Sequence, residues 1–241
     1  MFKIYQFKKV KSTFDKAEML DTNSVVIANK QTKGKGRFKR SWNSSSGGIY
    51  MSIVLEKLNP SYLTFIAAIS AQKAIKESYG IETKIKWPND LLFNKKKVCG
   101  ILTTVKDKAI IGIGINTNNK IPKTLEKKAT SLKKITDTLL NSENSKGLGN
   151  SKNFQSPINN KKIINKLLKH FEKYLKLLKN KKYPKIIKDW KKLSFLGQKV
   201  KVKTLKGTFE GIAYNIDKDC FLIVKTKTKK IKVIEGDVFL G

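Results

Sequence analysis

The sequence predicts an α+β protein in two parts: a larger domain over residues 1–193 that mixes strands with helices, and a small all-β module over 194–241. Short apolar runs of strand type alternate with helical segments from Phe2 to Ile115. A helical stripe follows at Ile163, Ile164, Leu167, Leu168, Phe171, Tyr174, Leu175 and Leu178. From Phe195 the period changes to short alternating strands, GQKVKVKT, GTFEGIAYNID, CFLIVKT and KIKVIEGDVFL, broken at Gly and Asp. That is the pattern of a small β-barrel.

In chain order, Phe2–Tyr5 reads as a short strand. Ser12 or Thr13 is placed to cap a helix over Phe14–Leu20. Ser24–Ala28 (SVVIA) reads as a buried strand that runs into a Gly-, Lys- and Arg-rich loop, and Ile49–Leu55 (IYMSIVL) as another strand. Asn59-Pro60 opens a long helix, with Pro at its first position, and Gly80 ends it. Ile81–Lys86 alternates as a strand. Trp87-Pro88-Asn89-Asp90 must turn, because Pro88 biases Trp87 away from helix. Leu91–Phe93 and Lys97–Val105 form a hairpin about Asn94-Lys95-Lys96, and Ala109–Ile115 (AIIGIGI) is a further strand. Residues 141–160, rich in Asn, Ser, Gly and Lys, read as a flexible insertion. Pro184 starts a shorter helix through Trp190.

The chain of 241 residues carries 52 Lys plus Arg against 18 Asp plus Glu, a net charge of +34. A charge of that size points toward nucleic acid or another anionic partner. Here the excess is Lys spread along the whole length, which equally describes solvated lysines on every exposed face. No aromatic residues interleave with it in the manner of single-strand binders. No run approaches the roughly 20 apolar residues that span a bilayer, and the start has no signal-peptide core. Cys99 and Cys220 match no metal spacing and suit a reducing cytoplasm. His170 is the only histidine and lies on a Lys-rich amphipathic helix, which argues against Ser-His-Asp or Cys-His catalysis.

Only two of the 52 cations are arginine, and both, Arg37 and Arg40, fall in Gln31–Trp42, QTKGKGRFKRSW. A guanidinium offers a planar fork of donors that lysine lacks. Gly34 and Gly36, alternating with Lys33 and Lys35, allow close backbone approach. Such a loop suits a phosphate or carboxylate, or else is a basic surface turn.

Four segments in order resemble a biotin protein ligase: QTKGKGRFKRSW (31–42), KWPNDLLFNKKKVCGIL (86–102), IGIGINTN (111–118) and ATSL (129–132), completed by the terminal β module. The resemblance implies a mixed-sheet catalytic domain of the class II synthetase and biotin–lipoate ligase type, with an SH3-like C-terminal barrel. It implies a short form without an N-terminal DNA-binding domain, since the pattern starts at residue 1, and so no specific DNA partner. The implied reaction activates biotin with MgATP as biotinyl-5′-AMP. It then transfers biotin to a lysine of the biotin carboxyl carrier protein of acetyl-CoA carboxylase. The alternatives are a lipoate or octanoate ligase on the same scaffold and, from another class, a basic nucleic-acid-binding protein. Monomer and homodimer stay open.

By the same resemblance, Lys97 and Arg37 are the catalytic residues. Ser12, Thr13, Gln31, Gly34, Lys35, Gly36, Arg37, Lys97, Gly100 and Gly114 bind biotin. Arg37, Arg40, Trp42, Asn89, Asp90, Lys97 and Asn116 bind ATP, with Asn89 and Asp90 near its Mg²⁺. Gly112 shapes the pocket wall. The residues by themselves allow plainer readings: a helix cap at Ser12, a turn at Asn89-Asp90, a β-bulge at Gly112 and Gly114. Three positions depart from the family pattern, among them Lys33, which replaces a small residue. Phe14 stands where the family has Asn, and Lys39 where it has Gly, so Lys39 is expected to alter how the loop closes.

Overall fold

A computed structural model describes residues 2–144 and 157–241. Its first layer is a seven-stranded sheet: β1 (Lys3–Phe7), β2 (Ser24–Ala28), β3 (Ile49–Leu55), β4 (Lys84–Lys86), β5 (Asp90–Phe93), β6 (Lys96–Val105) and β7 (Ala109–Ile115). The strand order is β1-β2-β3-β7-β6-β5-β4. β1 and β2 run parallel and the other neighbours antiparallel, so the sheet is mixed.

One face of the sheet packs on three helices: α2 (Pro60–Tyr79), α4 (Asn160–Lys179) and α5 (Tyr183–Leu193). α2 lies between sheet and helices, so it is apolar nearly all round, and twelve of its side chains are buried. Asn59 caps it, accepting from Ser61 N and Tyr62 N, and Gly80 ends it at φ +68°, where only glycine sits without strain. Phe65 of α2 and Trp190 of α5 stack with centroids 4.4 Å apart. The opposite face carries the short helix α1 (Thr13–Glu18), whose Phe14 and Ala17 pack on Val26, Val54 and Ile110.

β7 explains why the rest of that face is open. Its alternate residues Ala109, Ile111, Ile113 and Ile115 point into the helical core. On the other face stand Ile110, Gly112 and Gly114, so the strand is cut back where the cleft lies. The register with β6 is continuous across Gly112 and Gly114. The glycines are therefore not a bulge; the bulge of this region lies in β6, where Val98 is the extra residue opposite the Leu91–Leu92 step of β5.

The second layer starts after α5. β8 (Lys199–Thr204), β9 (Gly207–Ile216), β10 (Leu222–Lys225), β11 (Lys230–Val233) and β12 (Asp237–Leu240) form an antiparallel sheet in the order β11-β10-β9-β8-β12. Its core of Val200, Val202, Ala213, Leu222, Val224 and Val238 joins the main core. Among the bonds that tie the barrel to the larger domain, three join it to α2 and the end of the sheet. Trp87 Nε1 donates to Cys220 O at 2.9 Å, Tyr62 Oη to Lys218 O at 2.5 Å, and Phe195 N to Ile85 O at 3.1 Å.

Several expectations need correction. The strand foreseen over 81–86 is only Lys84–Lys86. A helix not anticipated, α3 (Leu132–Asn144), follows the ATSL segment and runs through the first four residues of the expected insertion. At its other end Ile158 is buried in the core and Asn159 caps α4, accepting from Lys162 N. Residues 145–156, the remainder of that expectation, lie outside the described residues.

Candidate active site

A cleft with an empty volume of about 810 Å³, open mouth included, lies on the sheet face left free by α1. Four cations and two carboxylates line it: Lys35, Arg37, Arg40 and Lys97, with Asp90 and Asp237.

The floor is glycine. Gly100 of β6 and Gly114 of β7 are direct cross-strand partners. The indole of Trp42 lies across both. A Cβ on Gly114 would meet Trp42 Nε1 at 2.5 Å, and one on Gly100 would meet Trp42 Cζ3 at 2.9 Å. Trp42 Nε1 is buried there without a hydrogen-bond partner. Gly112 performs the same service for Phe14, whose ring would lie 3.3 Å from an added Cβ. The residue standing where the family has Asn is thus part of an apolar wall.

Lys97 projects from the first turns of β6 over that floor. Its Nζ is 2.7 Å from Asp90 Oδ1 and 5.1 Å from the Trp42 ring centroid. Lys86 Nζ stands 3.3 Å from the other Asp90 oxygen, so the carboxylate is held between two ammonium groups. The ATSL segment fixes where Lys97 begins: Lys97 N donates to Lys128 O and Thr130 N to Lys97 O.

A polar chain forms the far wall. Ser12 caps α1, its Oγ accepting from Phe14 N at 3.1 Å, which leaves its hydroxyl proton available to a ligand. Gln31 Oε1 accepts from Thr13 N (2.7 Å) and Thr13 Oγ1 (3.0 Å), and Gln31 Nε2 donates to Ser44 Oγ (2.8 Å). Ser52 Oγ donates to Thr13 Oγ1 at 2.9 Å. Ser12 and Thr13 are buried.

The arginine loop covers the mouth. Arg37 is half-buried, and burial pushes its guanidinium below its ordinary pKa. Its Nη1 lies 3.5 Å from Asn89 Oδ1, the outer limit of a hydrogen bond. Arg40 grips Asp237 of β12 through both nitrogens, at 3.1 and 2.5 Å. That bond holds the Asp237 carboxyl below the usual carboxylate range. A lowered carboxylate pKa means the pair persists at neutral pH and is lost only as pH falls through that lowered value. Both partners are partly exposed, so the pair contributes only about 0–1 kcal/mol; its effect is to fix the loop against the barrel. Between the two arginines lies the Phe38 ring, 4.7 Å from Arg37 Cζ and 5.3 Å from Arg40 Cζ. Lys35 turns its ammonium to Asp15 of α1.

Lys39 keeps the left-handed backbone that a glycine would take freely, at φ +57°, next to Phe38 at φ +53°. The loss of Gly is therefore borne as strain. Lys39→Gly is expected to raise stability by roughly 0.5–1 kcal/mol, the strain relieved less the extra freedom of the unfolded chain. A melting temperature equal to or below that of the parent protein would contradict this.

Two of the expected site residues, Gly34 and Asn116, do not line the cleft. Gly34 is buried beneath the loop itself: a Cβ there would meet Trp42 O at 2.5 Å. Asn116 spends its amide on structure, donating to Thr130 O at 3.1 Å and accepting from Asn119 Nδ2 at 3.1 Å. From the Trp87–Asp90 turn, Asn89 and Asp90 line the cleft while Trp87 is buried as a tie to the barrel. The metal assignment also changes. Asn89 Nδ2 donates to Ile101 O at 2.6 Å while its Oδ1 faces Arg37. With Asp90 matched by Lys86 and Lys97, the pair offers no free oxygen set for Mg²⁺. No cluster of three His, Cys, Asp or Glu able to hold a metal occurs among the described residues. Conversely, sequence reading missed Asp237, Ser52 and Met51 in the lining.

Comparison with known proteins places this geometry. Residues 5–118 match the biotin/lipoate A/B protein ligase family, and residues 195–241 the biotin protein ligase C-terminal domain. The bifunctional ligase/repressor BirA of Bacillus spizizenii is 33% identical over 258 aligned positions, covering 99% of this chain and 74% of that protein. The chain belongs to the biotin protein ligase family. The BirA of Bacillus subtilis is 35% identical over 233 positions, covering 90% of this chain and 66% of its own length. Among solved structures, a biotin protein ligase from Aquifex aeolicus in complex with biotin and ATP superposes with a TM-score of 0.83 at 28% identity. It covers 99% of this chain and 98% of its own. The mixed sheet and five-stranded terminal barrel of this chain are thus the fold of the family.

Proposed function

We propose that the cleft joins biotin to ATP as biotinyl-5′-AMP and then transfers the biotinyl group to a lysine of a biotin carboxyl carrier protein. The observation that carries this reading is four cations, Lys35, Arg37, Arg40 and Lys97, gathered over a glycine floor in a chain of this family. Two anions have to meet there. Fixed cations offset the repulsion between a carboxylate and the α-phosphate, and stabilise charge that builds at phosphorus. A biotin carboxylate oxygen attacks the α-phosphorus, and pyrophosphate leaves with the electron pair of the broken P–O bond. The acceptor amine then attacks the carbonyl carbon of the mixed anhydride, and AMP leaves. Neither step requires an enzyme nucleophile, and no Cys or His lines the cleft.

In this reading Lys97 and Arg37 face the reacting groups. Ser12 and Thr13, with Gln31 fixing Thr13, meet the polar end of biotin, and Gly100 and Gly114 seat the Trp42 ring that forms the floor beneath it. Arg40 and Trp42 lie toward the nucleotide. Mg²⁺ accompanies the ATP phosphates, and no step is assigned to a protein-held ion. Lipoate is less favoured because the terminal barrel matches the domain of biotin protein ligases. Cys99 and Cys220 are free and buried, which suits a reducing cytoplasm, and no described helix is long and apolar enough to cross a membrane.

The purified protein with Mg²⁺ is expected to catalyse ATP–pyrophosphate exchange that depends on biotin and not on lipoate. Exchange absent with biotin would sink the proposal, and exchange with lipoate alone would redirect it.

A further inference from the structure

The barrel presents a second concavity beside the mouth of the cleft, an open groove of about 1790 Å³. The turn between β8 and β9, the segment from β11 to β12, and Phe38 of the arginine loop enclose it. Three large apolar side chains stand open to solvent along it: Leu205 fully exposed, Ile234 at 67% and Phe38 at 49%. Contiguous exposed apolar surface of this kind marks a site of association. The groove is also cationic. Lys203 and Lys206 line it without a carboxylate partner among the described residues, against one carboxylate there not tied to a cation, Glu235.

The groove is continuous with the active site, because Arg40 and Asp237 line both. Any macromolecule seated in the groove therefore reaches the mouth of the cleft. The second half-reaction needs such a macromolecule, since the attacking amine belongs to another protein's lysine. We propose that this groove docks the acceptor: a protein domain that presents an apolar prominence flanked by carboxylates beside its target lysine. The proposal rests on the ligase reading above. It adds which surface selects the acceptor and by what chemistry. Apolar burial at Leu205 and Ile234 supplies the anchor, and the lysine rim steers the acidic partner and sets its orientation. The Arg40–Asp237 pair holds Phe38 at the junction, so docking and the covered cleft share one piece of chain.

The two half-reactions separate this proposal from the ligase reading. A Leu205→Glu variant of the full chain is expected to keep parental biotin-dependent ATP–pyrophosphate exchange, since that side chain is fully exposed and lies outside the cleft. Its KM for an unbiotinylated carrier domain should rise ~10-fold or more, the scale of losing a central apolar anchor. Lys203→Glu/Lys206→Glu is expected to raise the same KM and to flatten its dependence on ionic strength. A carrier KM unchanged in both variants overturns the docking surface. So does loss of exchange in the Leu205 variant, which would make the groove part of the nucleotide site. Absence of exchange in the parent protein would instead defeat the ligase reading.

Discussion

Lys97→Ala is expected to lower biotin-dependent ATP–pyrophosphate exchange by on the order of 10²–10³-fold, the usual cost of removing one preorganised charge-stabilising group. The expectation rests on where the ammonium sits. It is held 2.7 Å from Asp90 and over the Trp42 ring, so it is oriented before any ligand arrives. The same contacts mean the substitution is not silent for folding. Asp90 would keep only Lys86, at 3.3 Å, and stability should fall by roughly 1–3 kcal/mol. That lowers the melting temperature but leaves the protein folded at 25 °C. Double substitution with Asp90→Asn removes the orphaned carboxylate; it should restore much of the melting temperature and none of the exchange. If exchange returned with stability, Lys97 would be a structural partner of Asp90 and no more.

Gly114→Val should be nearly as damaging, for a steric reason. An added Cβ would fall 2.5–2.6 Å from the Trp42 indole, and the β-branched side chain fills the space further. The ring would leave its seat on Gly100 and Gly114. Because Trp42 N donates to Gly34 O at 2.9 Å, its displacement carries the arginine loop with it. Misplacing positioning groups by about 1 Å costs on the order of 10²-fold, and exchange should fall by that much. The strand itself should survive, since Gly114 has an ordinary extended φ and its register with Tyr50 and Gly100 is unbroken. Gly114→Ala combined with Trp42→Ala gives the decisive comparison. The double variant should lose no more activity than Trp42→Ala alone. Additive losses would show that Gly114 matters for some reason other than seating the ring.

Legibility in the sequence followed the range of each interaction. The loop from Gln31 to Trp42 stood out because arginine occurs nowhere else, whereas the glycines of IGIGI read by themselves as a β-bulge and only the resemblance made them a pocket wall. Ser12 was legible as a cap, since capping is a bond to the next residue but one. Lys97 was different: among so many lysines only the resemblance selected it, and the bonds that aim it come from Lys128 and Thr130, about thirty residues away. α3 was missed because its polar face and the Asn- and Ser-rich stretch after it hid a short apolar stripe.

Local pattern and composition in the chain determined most of the strand and helix inventory, the change to an all-β module after α5 and the cationic loop. These depend on neighbours a few residues apart, where φ/ψ preference and side-chain period are written directly. Tertiary structure alone decided that Asp237 would reach across nearly two hundred residues to hold Arg40. It also decided that Trp42 would lie on two facing glycines, and that Gly34, Trp87 and Asn116 would serve the scaffold while Ser52 entered the cleft. Those outcomes turn on which surfaces meet when the barrel packs on the sheet, and no periodicity in a single chain encodes that.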